Sequence, residues 1–173
     1  FLALAATFCV SILYAEDNNT YIKQQVAYKD PGASGKELTW DFGMLSPINE
    51  EYTVAYSIPD SNYMHQWCAT EHRTRYYYTL TADTIWRTGY ENPTTFVQYT
   101  QPEAVLRLPL RYGDTLTTTF AAKGEYGHRI PMTLSGTNTI EVDAQGKLIL
   151  PDKTYEQVLR VHSQRQYVES GLD

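Results

Sequence analysis

The sequence predicts an all-β fold: a single-domain antiparallel meander whose twisted sheet curls into an open half-barrel, with a two-sheet β-sandwich as the alternative packing of the same strands. Three observations carry this. Short runs of alternating apolar and polar residues recur along the chain and are punctuated by Gly, Pro, Asn and Asp. No stretch after residue 20 sustains the three-to-four spacing of an amphipathic helix over three turns. The aromatic content is 15 Tyr, 3 Trp and 5 Phe, and such side chains suit pleated, half-buried surfaces.

Taken in order, residues 21–28 predict a first strand, followed by the small-residue loop Pro31-Gly32-Ala33-Ser34-Gly35. Residues 38–42 and 52–56 predict a second and a third, and residues 73–80 a fourth that contains Tyr76-Tyr77-Tyr78. The run Thr84-Ile85-Trp86-Arg87 meets Gly89 and Asn92-Pro93, which mark a turn. Residues 95–99 and 105–108 read as two further runs leading to a turn at 111–114. Leu116, Thr118, Phe120 and Ala122 then alternate with Thr115, Thr117, Thr119 and Ala121, the period of a strand with one buried face. Residues 139–143 and 147–150 predict a hairpin around Asp143-Ala144-Gln145-Gly146. There the Asp side chain would bond the backbone ahead of it, and Gly would take the positive φ that closes the loop. Pro151-Asp152 supplies a second turn, with φ of Pro preset, and residues 155–161 leave it as a β-branched and aromatic run.

The ends of the chain point to export. Residues 1–15 form an apolar run of signal-peptide length, too short to cross a bilayer as a helix, with cleavage expected after Ala15 and residues 16–173 forming the β domain. The absence of a basic leader and the stop at Ser170-Gly171-Leu172-Asp173 lead us to expect a sequence cut short at both ends. Cys9 falls in the leader, which leaves Cys68 alone in the mature domain and gives no internal disulfide. The expected address is extracytoplasmic, with membrane contact only through the export signal. A net charge of −6 gives no basic footprint for nucleic acid.

Chemistry-bearing residues are few. His65, Cys68 and His72, beside Glu71, would share one face of a helix and could then hold zinc. In an extended chain His65 and His72 fall on opposite faces, and ordinary packing is the better reading, so no cofactor is expected. There is no G-x-S-x-G elbow, and the acids show no spacing that singles out a carboxylate pair. Tyr76, Tyr78 and Trp86 are the candidate ligand-binding residues: on the concave side of a curled sheet they would hold a sugar face or an apolar chain, against the competing reading that they fill the core. The expected ligand class is open among a small molecule, a glycan and a protein. The sequence favours a non-catalytic binding or structural module, with a hydrolase of extracellular polymer as the alternative.

One resemblance adds to this. Trp40-Asp41-Phe42, Tyr76-Tyr77-Tyr78, the run from Leu108 to Asp114, then Thr139 to Val142, Gly146, Leu148, Pro151 and Val158-Leu159-Arg160-Val161 resemble a group of secreted Bacteroidetes proteins of uncharacterised function. Longer members look like cargo of type IX secretion. The resemblance implies a cell-envelope or extracellular address and no specific activity. Gln157 and Lys153 depart from its pattern, which prefers Asn and Gly at those positions.

Overall fold

In the computed structural model, residues 20–23, 26–48, 52–57 and 66–171 are described. The expected leader, with Cys9, lies outside them. Ten strands among these residues build one sheet: β1 (Thr20–Lys23), β2 (Gly35–Asp41), β3 (Tyr52–Ser57), β4 (Gln66–Glu71), β5 (Thr74–Thr81), β6 (Thr84–Glu91), β7 (Thr95–Arg107), β8 (Thr115–Tyr126), β9 (Ile130–Ile149) and β10 (Thr154–Ser170). Nine of them run antiparallel in the order β1-β3-β4-β5-β6-β7-β8-β9-β10, while β2 pairs β9 in parallel. From β3 onward this is the meander the alternation predicts. The parallel strand makes the sheet mixed.

The turns follow the chemistry of their residues. Asn92 accepts hydrogen bonds from the backbone N–H groups of Thr94 and Thr95 at 3.0 and 2.9 Å, holding the β6–β7 turn. Asp114 accepts from the Arg111 N–H at 2.7 Å, and Gly113 beside it has φ +88°. The Pro151 turn is closed by a bond from Leu150 N–H to the Lys153 carbonyl at 2.8 Å, and Lys153 does not sit at positive φ, so no Gly is required there.

The hairpin expected around residues 143–146 does not form. β9 runs straight through it as one 20-residue strand, because three neighbours share its two edges. β10 pairs along nearly its whole length, β8 covers Ile130 to Glu141, and β2 takes over from Ala144 to Ile149. Val142 fills the gap by exchanging bonds with Gly113 and Asp114. Gly146 is needed for a different reason from the one expected: it has no positive φ, but a Cβ there would strike the Leu38 backbone where β2 docks.

The two runs expected at 95–99 and 105–108 are halves of one strand, β7, kinked at its middle. Register breaks between Tyr99 and Gln101 opposite β8 and between Gln98 and Glu103 opposite β6, and Pro102, which has no N–H to give to a ladder, sits in the irregular stretch. β4 carries no strong strand signal in the sequence. The first strand is shorter than expected, with an isolated bridge of Val26 to Pro47 after it.

The core lies on one face. Val97, Tyr99, Phe120, Ala122, Met132 and Leu134 form a buried cluster with Tyr90 packed against it. The even-numbered residues of β9 from Met132 to Ala144 carry that burial along the strand, apart from the half-buried Gly136. After its kink β7 bends over this face. Asn138 on β9 donates to the Ala104 carbonyl on β7 at 2.9 Å, and Ala104 is fully buried. Contacts between β7 and β9 that skip β8 require a curled sheet. It stays open, since β1 and β10 each end the strand order among the described residues.

Candidate functional site

The inner face of β4–β7 and β10 carries the densest chemistry among the described residues. Antiparallel partners share a face, so the pairs Trp67/Tyr78, Ala69/Tyr76, Tyr78/Arg87 and Tyr76/Tyr90 put these side chains on one side. Trp67 stacks on Tyr78 with ring centroids 5.9 Å apart, and Tyr76 meets Tyr90 at 6.4 Å. The Arg87 guanidinium lies over both rings, 5.6 Å from that of Tyr76 and 5.9 Å from that of Tyr78. Trp67, Tyr76, Tyr78, Arg87 and Tyr90 are all half-buried.

Beyond Arg87 stands Glu103, 1% exposed and the most deeply buried charged group described. Arg87 reaches it from β6 at 3.6 Å and Arg165 from β10 at 2.9 Å. The Tyr99 hydroxyl donates to Glu103 Oε2 at 2.9 Å and accepts from Arg165 Nη2 at 3.0 Å. Arg165 also lies over the rings of Phe120 at 4.6 Å and Tyr167 at 4.4 Å. β6 and β10 are separated by three strands in the sheet, so their arginines meet on one carboxylate only because the face is concave.

The electrostatics follow from this crowding. Burial first, and Tyr78 and Glu103 against it, set the Arg87 guanidinium, which is held above its ordinary pKa and stays charged. Burial pushes the Tyr99 hydroxyl up, and the Glu103 charge adds to that. Tyr78 is raised mainly by burial, with Arg87 opposing. These phenols are therefore neutral donors at neutral pH. The Arg87 Nε is buried with no hydrogen-bond partner among the described residues, whereas the Arg165 Nε is the atom that meets Glu103 Oε1 at 2.9 Å as an ion-pair contact.

The expected binding trio is divided. Tyr76 and Tyr78 lie on the concave face. Trp86 pairs Thr79 and so points to the opposite side, where its Nε1 donates to Thr81 Oγ1 at 2.8 Å. A β-bulge between Tyr77 and Tyr78 leaves this separation intact. Trp67 takes the place expected of Trp86, and alternation from Tyr76 could not reveal it because β4 was not legible as a strand. Arg87, Glu103 and Arg165 were equally hidden, for they are far apart in sequence and join only when the sheet curls.

Of the other candidates, His65 lies outside the described residues. Cys68 is buried in β4, with Sγ 3.8 Å from Thr70 Oγ1, whereas His72 is exposed in the β4–β5 turn at φ 52°. The segment from Cys68 is a strand, so the helical face that would join Cys68 and His72 does not exist. Among the described residues no three His, Cys, Asp or Glu side chains gather where a metal ion could be held.

A second feature lies where the residue 29–42 segment meets β9 and β10. A cleft of about 290 Å³ is lined in part by Lys29, Pro31, Leu38, Trp40 and Phe42. Its wall is fastened by Arg160, which grips Asp143 with two hydrogen bonds of 2.8 and 2.7 Å, donates to the Pro31 and Gly32 carbonyls and lies 5.8 Å over the Trp40 ring. Trp40 Nε1 donates to the Pro31 carbonyl at 2.8 Å. Arg160 thus ties the loop to β9 and β10, while Asp30 and Asp41 accept from the backbone N–H groups of Gly32 and Gly43. Compared with known families, with curated proteins and with solved structures, the chain matches none.

Proposed function

We propose that the protein is a non-catalytic extracytoplasmic binding module whose concave face takes an extended glycan. The observation that carries this is the continuous surface of half-buried rings, Trp67, Tyr78, Tyr76 and Tyr90, with a guanidinium laid across two of them. Flat rings offer area at little cost in conformational entropy and match the C–H faces of sugar rings, while the phenol and guanidinium edges remain for sugar hydroxyls. The buried acid of this face is held by two arginines and a tyrosine, which makes it a structural anchor and leaves no free proton donor at its position. A hydrolase needs a second carboxylate or a nucleophile and base converging on the same point. The export-signal reading of residues 1–15 and the family resemblance support the address.

A panel of soluble oligosaccharides titrated against Tyr78→Ala and Trp86→Ala tests the reading. Loss of one stacking ring is expected to weaken binding by about 1–2 kcal/mol in the Tyr78 variant and leave the Trp86 variant unchanged. Equal losses in both would refute the placement. Release of reducing ends during incubation would refute the non-catalytic reading.

A further inference from the structure

We infer that the glycan taken by the concave face carries isolated acidic groups, such as a uronate side residue, and that one such carboxylate docks on the outer edges of Arg87 and Arg165. This rests on the glycan reading given above and narrows its ligand class.

Two guanidiniums converge on a single carboxylate, Glu103. The knot therefore keeps one positive charge that no side chain in it balances. The next acid along β10 on this face, Glu169, is four residues beyond Arg165, roughly 13 Å along an extended strand. Glu71, the acid at the end of β4, falls at the face's other margin. No ion pair joins Glu169 to either arginine among the described residues, although its charge and that of Arg165 both act on Tyr90.

The geometry leaves this charge usable. The Arg87 and Arg165 side chains each retain 26% exposure although Glu103 is closed off at 2%. Arg87 stands 3.6 Å from Glu103, beyond hydrogen-bond length, so its fork is not spent on that carboxylate, although the Tyr78 hydroxyl engages part of it. A guanidinium presents planar, paired donors that suit a carboxylate better than a hydroxyl. The rings on either side, Tyr76 and Tyr78 at Arg87 and Phe120 and Tyr167 at Arg165, are where the flanking sugars would lie.

The protein's own net charge limits how acidic the ligand can be. The whole chain carries −6, a field that repels a dense polyanion while leaving one buried-edge contact favourable. Sparse charge on a mostly neutral chain fits both conditions. Nucleic acid and fully charged polyuronates do not.

The test is a glycan array, with the full chain as probe, displaying neutral, singly uronate-bearing and fully uronate oligomers on several backbones. Leading pairs are then measured by calorimetry at low and high salt. The inference expects the singly charged form to bind about tenfold tighter than its neutral counterpart, the scale of one charge-assisted hydrogen bond. It expects that preference to fall with salt and to vanish in Arg87→Gln. Equal binding of neutral and singly charged forms overturns the inference and leaves the glycan reading standing, as does a preference that survives in folded Arg87→Gln. Strongest binding by polyuronates or by a single-stranded oligonucleotide overturns it too. Binding of no glycan overturns the glycan reading and this inference together. Should Arg87→Gln fail to fold, the wild-type ratio and its salt dependence decide alone.

Discussion

Asp143 combines the chemistry of a turn residue with the surroundings of a strand. Followed three positions later by Gly146 it has the signature of a hairpin loop, yet its carboxylate is taken by Arg160 through two hydrogen bonds and the strand continues. The local signature was legible in the sequence, while the partner across the ladder that overrides it was not. The Arg160 bond holds the Asp143 carboxyl below its ordinary 3.8. A depressed acid stabilises the folded state fully above its unfolded pKa and loses that contribution as pH falls through the folded value. Asp143→Asn should therefore cost about 2 kcal/mol at pH 7, and the gap from wild type should shrink below about pH 4 in urea denaturation. A gap independent of pH would contradict the pairing. Tyr77 titrates with the opposite sign. Burial and then the Glu91 carboxylate, which accepts its hydroxyl at 2.8 Å, push it up to about 12. Its contribution is complete below the ordinary 10.0 and lost as pH rises through about 12. Difference absorbance between wild type and Tyr77→Phe should show the missing phenolate step near 12, and a step near 10 would refute the buried contact.

At the scale of elements, strands with one buried face were legible and strands defined by their neighbours were not. β8 follows its alternation, with Leu116, Thr118, Phe120 and Ala122 turned inward. Pro102 interrupts the alternation of β7 and divides it into two apparent runs, although a kinked strand accommodates proline at the irregular position. β4 has mixed composition and gains its identity from the ladders on both sides, to β3 and β5. β2 was expected as an ordinary member of a meander, and its parallel dock on β9 depends on Gly146. Gly146→Val should detach β2 and lower stability by about 1–3 kcal/mol. Amide exchange in residues 38–41 should accelerate while that of β8 is unchanged. Unchanged protection of β2 would show that the close approach to Leu38 does not hold the strand.

Across the whole molecule, the sheet is curled by contacts that no local pattern encodes. Asn138 reaches β7 past β8, and arginines from β6 and β10 share Glu103. Alternation is compatible with both a half-barrel and a sandwich because it reports which residues are buried but not how far the sheet bends. Glu103→Gln leaves two guanidiniums around a neutral amide and should cost about 3–5 kcal/mol, the largest loss expected from any single acid here. A cost under about 1 kcal/mol, the scale of an exposed pair, would mean that the curl does not depend on the knot. The same curl makes Trp67, Tyr76 and Tyr78 a concave surface and leaves Trp86 on the other side, and the function proposed for the protein stands on that division. The most direct measurement is the tryptophan fluorescence change on saturating an oligosaccharide ligand, compared between Trp67→Phe and Trp86→Phe. The concave-face account predicts that the change disappears in Trp67→Phe and persists in Trp86→Phe; the reverse result would place the binding surface on the convex side and contradict it.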